Sequence, residues 1–138
     1  MSPDQLQISK RVLVADDDPV MRHLISTMIK QQEYEVVVAE DGRAAYRILQ
    51  SDSAFKAAIL DMTMPFLEGL DLIRYMRSER RLMRIPIMMI TAEQDIKLMA
   101  TSFSAGATAF LPKPFTPAQL QSAIRMLLGN RQLRKVAA

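Results

Sequence analysis

Three aspartates, a threonine and a lysine stand where short apolar runs of this sequence end. They are Asp16 and Asp17 after the first run, Asp61 after the third, Thr91 after the fourth and Lys113 after the fifth. Neighbouring carboxylates repel each other and raise one another's pKa, so such a group indicates a bound cation. Carboxylate oxygens suit Mg²⁺, which keeps several waters and often bridges to a phosphate. Zinc is disfavoured because the chain has no cysteine and one histidine.

Five apolar runs alternate with amphipathic stretches along the chain. The runs are Val12–Ala15, Val36–Ala39, Ala57–Leu60, Ile87–Ile90 and Ala107–Leu111. Each is short and apolar throughout, as strands buried on both faces should be. Alternation of strand and helix requires crossovers, which predict a doubly wound parallel sheet in a three-layer α/β/α domain. Such sheets bind ligands at the carboxyl ends of their strands, where the five polar residues would gather.

The intervening stretches predict five helices. Asp18 and Pro19 are a typical N-cap and first helical residue, and Thr116-Pro117 opens the last helix in a similar way. The second and third helices are predicted at about 41–50 and 69–81. The fourth helix is predicted by an apolar stripe at the spacing i, i+3, i+4, i+7. The stripe consists of Ile96, Met99, Ala100 and Phe103.

Four motifs carry a resemblance to a known family. The segments VLVADDDPVMR, AAILDMTMPFLEG, PIMMITA and ATAFLPKPF resemble the motif set of bacterial receiver domains, the phosphoacceptor domains of two-component response regulators. The likeness covers roughly residues 10–128 in the family's order. It implies a flavodoxin-like fold whose five strands lie in the order 2-1-3-4-5, with five helices.

The resemblance also implies a role for each site residue. Asp61 corresponds to the aspartate that accepts a phosphoryl group from a histidine kinase or phosphotransfer protein. Asp16, Asp17, Asp61 and the backbone carbonyl of Thr63 correspond to the Mg²⁺ ligands. Thr91 and Lys113 correspond to the residues that contact the phosphoryl group, and the Lys113–Pro114 bond is expected to be cis. These roles agree with phosphoryl transfer, which depends mainly on positioning and charge neutralisation.

Phosphorylation is expected to switch a protein-interaction surface formed by the fourth helix, the fifth strand and the fifth helix. Thr91 and Phe110 are the predicted switch residues, although Phe110 stands where the family often has tyrosine and lacks its hydroxyl. Glu68 stands where aspartate is common. Thr63 and Glu93 are expected to tune the lifetime of the phosphorylated form. A downstream protein, an attached output domain or a second copy of the chain would dock on this surface.

Two other functions use similar residues. A phosphatase of the haloacid dehalogenase type also needs a strand-end aspartate, a hydroxyl, a lysine and Mg²⁺. That family places a second aspartate two residues after its nucleophile, where this chain has Thr63, and carries the nucleophile on its first strand. A pseudo-receiver that only binds partners is disfavoured because every chemical residue is present. We therefore expect a switch that is not an enzyme.

The composition of the chain bears on its cellular location and on the kinds of partner that it can bind. Eighteen basic residues against fifteen acidic ones give a net charge of +3, and the arginines of segment 74–84 are expected on a solvated helix face rather than on a nucleic-acid patch. The start has no apolar signal core and cysteine is absent, so we expect a cytoplasmic protein that binds neither nucleic acid nor membrane. The expected organisation is an extension (1–9), the receiver (10–128) and a basic tail or helix end (129–138), either alone or within a longer protein.

Overall fold

The computed structural model describes residues 9–92 and 96–137, with side chains up to Gly129. Its strands are β1 (Arg11–Ala15), β2 (Glu35–Ala39), β3 (Ala57–Asp61), β4 (Ile87–Thr91) and β5 (Ala109–Pro112). Its helices are α1 (Pro19–Gln31), α2 (Gly42–Ser51), α3 (Gly69–Ser78), α4 (Ile96–Ala105) and α5 (Pro117–Ala137). Every predicted strand and helix is present, and their ends differ from the predicted ones by a few residues.

The strands form one parallel sheet in the order β2-β1-β3-β4-β5, as predicted. Successive side chains of each strand point to opposite faces, so each strand contributes to two cores. Leu13 and Leu60 belong to the core beneath α2, α3 and α4, whereas Val14 and Ile59 belong to the core beneath α1 and α5. Residues of β3 and β4 are buried throughout, which explains their uninterrupted apolar sequence.

Side chains at the helix starts explain where three helices begin. The Asp18 carboxylate accepts the Val20 N–H at 3.0 Å, and the Asp41 carboxylate accepts the Ala44 N–H at 2.7 Å. At α5, Thr116 and Gln119 cap each other reciprocally through side chain and backbone. These capping contacts fix the point at which each loop from the sheet edge enters a helix.

The apolar stripe on α4 faces outward, away from the core of the domain. Ile96, Met99 and Phe103 are 76%, 37% and 45% exposed, respectively. The fully buried residue of this helix is Ser102, whose hydroxyl donates to the Leu98 carbonyl at 2.8 Å. Periodicity detects an apolar face but does not say whether the core or a partner covers it.

The arginines of segment 74–84 were predicted to lie on a solvated helix face, and this prediction was wrong for Arg77. The Arg77 guanidinium is partly buried and donates to the carbonyls of Gly106, Met83 and Ile85 at 2.7–3.0 Å. Burial lowers the pKa of Arg77 from its ordinary value. The side chain ties the end of α3 to the loop before β4 and to the end of α4. Arg74, Arg80 and Arg84 are exposed, as expected.

Strand β5 lies at one edge of the sheet. It ends at Pro112, and the next two residues are Lys113 and Pro114. Thr91 of β4 is in register with Pro112, and the Lys113 N–H donates to the Thr91 carbonyl at 2.6 Å. Since successive N–H groups of a strand alternate in direction, Pro112 faces the open side of the edge, where it costs no hydrogen bond to β4. The Lys113–Pro114 bond is cis, as predicted. Within the described residues, no helix is long and apolar enough to span a membrane.

Candidate functional site

The connection from β1 to α1 holds Asp16 in a fixed orientation. Its side chain is 1% exposed, and one carboxylate oxygen, Oδ1, accepts the Asp18 N–H at 2.9 Å. The Asp16 N–H donates to the Ala39 carbonyl, and the Asp16 carbonyl accepts a hydrogen bond from the Arg22 guanidinium. Asp17 is exposed beside it. The buried and the exposed carboxylate therefore face the same edge of the sheet from adjacent residues.

Asp61 ends β3 and is held by the loop that follows it. The Thr63 N–H donates to its carboxylate at 3.4 Å. Gly69 returns the chain to the sheet so closely that a Cβ there would lie 2.5 Å from the Asp61 carbonyl oxygen. A Cβ at Gly42 would lie 1.8 Å from the Leu67 carbonyl oxygen, so the start of α2 also presses on this loop. Two close glycine approaches thus set the path of the segment that carries Thr63.

The three carboxylates converge on one point. Asp16, Asp17 and Asp61 each offer an oxygen within 4.8 Å of the other two. The second oxygen of Asp16, Oδ2, is buried and accepts no hydrogen bond from any described residue. A buried acceptor without a partner is costly, and a cation would satisfy it. The donor set of carboxylate oxygens therefore fits a hard divalent cation such as Mg²⁺.

Burial and mutual repulsion raise the pKa values of Asp16 and Asp61. Burial, followed by the negative charge of Asp16, raises the pKa of Asp61 to about 7, although the positive charge of Lys113 opposes the rise. Burial likewise raises the pKa of Asp16, against the Asp18 N–H hydrogen bond and Lys113. A carboxylate with a raised pKa in a polar cluster is typical of a functional site.

Thr91 and Lys113 lie next to the carboxylates. Thr91 is fully buried at the end of β4, one residue beyond Ile90, which is in register with Asp61. Lys113 is half-buried, and its charge acts on both Asp16 and Asp61. The backbone hydrogen bond between Lys113 and Thr91 fixes these two residues relative to each other. Thr91 and Lys113 thus lie at the same edge of the sheet as the carboxylates.

Phe110 lies on β5, the strand that packs against α4. Its half-buried ring packs partly on the core, and its centre is 6.4 Å from that of the exposed Phe103 ring. The Thr63 side chain is exposed, consistent with access to solvent beside Asp61. Glu93 lies outside the described residues.

Comparison with known proteins identifies the family of this chain. The family model described as response regulator receiver domain matches residues 12–125. The chain belongs to the response regulator receiver domain family. Receiver domains are signalling modules that act with histidine kinases and downstream targets, and this one is a phosphoacceptor module of two-component signalling.

Relatives of this receiver domain include short and long proteins. The chain is 38% identical to chemotaxis protein CheY1 of Helicobacter pylori over 121 residues, which cover 87% of this chain and 98% of the relative. It is 36% identical to response regulator MprA of Mycolicibacterium vanbaalenii but spans about half of that protein. The solved structure of Vibrio cholerae CheY4 has a TM-score of 0.79 and 30% identity, covering 88% of this chain and 100% of the other.

The raised pKa of Asp61 predicts an unusual pH dependence of stability. In the folded metal-free receiver domain, Asp61 keeps its proton up to about pH 7, whereas in the unfolded chain it loses the proton near its ordinary, lower pKa. The stabilising effect is therefore present at low pH and is lost as pH rises through about 7. We expect the free energy of unfolding to fall by on the order of 2 kcal/mol between about pH 5 and pH 8.

Urea unfolding in EDTA at several pH values measures this effect, with the variant Asp61→Asn as comparison. The asparagine removes the titrating group while keeping its size, so the variant should lose most of the fall. Equal pH slopes for the two proteins would show that Asp61 does not carry it.

Proposed function

We propose that this receiver domain accepts a phosphoryl group on Asp61 in a Mg²⁺-dependent reaction. The observation that carries the proposal is the convergence of three carboxylates within 4.8 Å, one of them with a buried oxygen that has no partner among the described residues. Mg²⁺ would be held by the carboxylates of Asp16, Asp17 and Asp61 and by the Thr63 carbonyl. When bound, it would neutralise charge on the phosphoryl oxygens.

The chemical step needs an ionised Asp61. One carboxylate oxygen forms a bond to phosphorus while the bond from phosphorus to the donor breaks, which is a P–N bond in phosphohistidine and a P–O bond in acetyl phosphate. The donor leaves with the electron pair of that bond, as imidazole or acetate. Lys113 and Thr91 are suited to hold the phosphoryl oxygens, because their backbones are joined and Lys113 already acts on Asp61 electrostatically.

The proposed reaction is a single labelling event rather than enzymatic turnover. A phosphatase of the dehalogenase type would need a general acid two residues after Asp61, where Thr63 has an exposed hydroxyl side chain. It would also carry its nucleophile on the first strand, whereas Asp61 ends β3. The decay of the acyl phosphate would be slow and would depend on Thr63 and Glu93, which flank the expected path of water.

We propose that the output begins at Thr91. The phosphoryl group adds roughly two negative charges and three strong acceptor oxygens, one of which would draw in the Thr91 hydroxyl. This movement opens space beneath α4 into which the half-buried Phe110 ring can turn. Burial of a phenylalanine ring contributes on the order of 2 kcal/mol, which is sufficient to shift a two-state equilibrium more than tenfold.

The surface that responds would consist of α4, β5 and the beginning of α5. Its α4 part carries the exposed Ile96, Met99 and Phe103. Its other part is an open groove of about 530 Å³ whose walls include Leu111 and Met126. An apolar surface of this kind fits a downstream protein or a second copy of the chain, rather than nucleic acid or a membrane.

The location and the chain organisation belong to the same proposal. A kinase charges its histidine from ATP, so we propose a cytoplasmic receiver domain. We propose residues 10–128 as the receiver unit, and the non-helical backbone of Gly129 (φ −105°, ψ 18°) within α5 supports a boundary there. The segment 1–8 lies outside the described residues.

Acetyl phosphate tests the central proposal directly. With Mg²⁺ the protein should gain one phosphoryl mass, which is lost in base and maps to the peptide containing Asp61. EDTA should abolish the gain, and Asp17→Ala should raise the Mg²⁺ concentration required for it by at least tenfold. Labelling that persists in EDTA, or that maps to another peptide, would contradict the proposal.

A second prediction concerns the switch. Beryllofluoride, a mimic of the acyl phosphate, should shift amide NMR signals of α4, β5 and the start of α5. In Thr91→Ala those shifts should largely disappear while Asp61 is still labelled, because the hydroxyl transmits the change but does not form the bond. Thr108→Ala, which removes a hydroxyl at the opposite end of β5, serves as the control. Wild-type shifts confined to the residues around the carboxylates would contradict this mechanism.

A further inference from the structure

The Arg22 side chain reaches back from α1 to the residue that carries the deepest carboxylate. Its Nη1 donates to the Asp16 carbonyl oxygen at 2.8 Å, and its own N–H donates to the Asp18 carbonyl at 2.9 Å. The residue is half-buried, and its carbonyl accepts the Ser26 hydroxyl at 2.7 Å. Arg22 is therefore fixed at both its backbone and its guanidinium, in the first turn of the helix that follows the aspartates.

The contact controls the direction of a whole peptide unit. Because a peptide bond is planar, the Asp16 carbonyl, the Asp17 N–H and both Cα atoms move together. A donor that holds this carbonyl therefore restricts rotation of the peptide unit that joins Asp16 to Asp17. Asp16 is also held in place by its burial and by the Asp18 N–H, which donates to its Oδ1. Asp17 is exposed, so packing does not hold its side chain in place.

We propose that Arg22 is a positioning residue for the cation site, orienting the Asp16–Asp17 pair through the carbonyl between them. This inference rests on the proposed function, in which the two carboxylates hold Mg²⁺. In this role Arg22 acts through the Asp16 backbone rather than through direct contact with the cation. Its effect is preorganisation, because the Asp16 and Asp17 carboxylates are kept close together before the cation arrives.

The direction in which Mg²⁺ affinity changes when Arg22 is removed distinguishes a positioning role from an effect of its charge. A guanidinium keeps its positive charge at all ordinary pH values and repels a nearby divalent cation, so charge alone predicts that its removal tightens Mg²⁺ binding. Positioning predicts the opposite, because a disordered Asp17 must be oriented when the cation binds. Loss of a supporting residue behind a metal ligand weakens binding by about tenfold or more.

The test is Mg²⁺ titration of Arg22→Met, Arg22→Lys and wild type, followed by the amide NMR signals of residues 16–18. We expect about tenfold weaker binding for Arg22→Met and recovery of most of the affinity in Arg22→Lys, whose ammonium can reach the same carbonyl. Acetyl phosphate labelling of Arg22→Met should need more Mg²⁺ but reach the wild-type rate at saturation. Arg47→Met, which removes an exposed arginine from α2, should bind as wild type does.

Tighter or unchanged Mg²⁺ binding by Arg22→Met would overturn the inference. Weaker binding with no recovery in Arg22→Lys, together with shifted amide signals across α1, would also overturn it, because a damaged helix would then explain the loss. If wild type itself failed to bind Mg²⁺, the proposed function would fail instead. The two failures are therefore distinguishable in the same titration.

Discussion

Asp61→Asn should gain no phosphoryl mass from acetyl phosphate at any Mg²⁺ concentration. The amide keeps the size of the carboxylate, but its nitrogen and oxygen lack the negative charge that attacks phosphorus. The side chain is 6% exposed and accepts the Thr63 N–H at 3.4 Å, a bond that the amide oxygen can also accept, so we expect the variant to fold. We expect labelling to fall by at least a hundredfold, roughly the effect of removing an essential nucleophile.

Mass spectrometry of the intact protein measures this loss, and urea unfolding confirms that the variant is folded. Asp71→Asn is the matched control, because it removes a carboxylate from the exposed first turn of α3 while keeping the oxygen that accepts the Glu68 N–H. This control should be labelled as wild type is. Labelling of Asp61→Asn at the wild-type rate would mean that another residue accepts the phosphoryl group.

Gly42→Ala should destabilise the fold by about 3 kcal/mol. The added Cβ would lie 1.8 Å from the Leu67 carbonyl oxygen and 2.6 Å from its carbon, both of them backbone atoms that cannot rotate away. Either α2 must shift or the loop after β3 must move. Since this loop also carries Thr63, we expect weaker Mg²⁺ binding in the variant as a second effect.

Urea unfolding in EDTA isolates the stability effect from that of the cation. The control Arg47→Ala changes an exposed residue of the same helix and should stay within about 0.5 kcal/mol of wild type. A Gly42→Ala variant as stable as this control would show that α2 and the loop yield readily. The close approach would then have no energetic importance.

The sheet and the gathering of the site residues were predictable because both follow from local patterns. A buried parallel strand must be apolar throughout, and the polar residue that ends it must lie at the carboxyl edge, so Asp61 and Thr91 could be located from their neighbours alone. The family resemblance supplied the strand order and the cis bond at Lys113–Pro114, which no periodicity encodes.

Other features depend on contacts between distant parts of the chain. The stripe containing Ile96 and Phe103 has helical spacing whether it faces the core or the solvent, and only the packing of α4 on the sheet decides between them. Arg77 lies among other arginines of segment 74–84, and its three carbonyl partners come from residues 83–106. Arg22 ends the first of the four motifs, but the sequence alone does not reveal its contact, because its partner is a backbone carbonyl rather than a side chain.

The proline that ends β5 has a consequence for self-association. An edge strand offers unpaired N–H groups to which another chain can add a strand, and this addition is a common route to aggregation. Pro112 has no N–H on the open side of β5, so an incoming strand would meet a missing donor and the ring in its place. Intermolecular sheet extension is thereby disfavoured at the end of β5, beside the apolar groove.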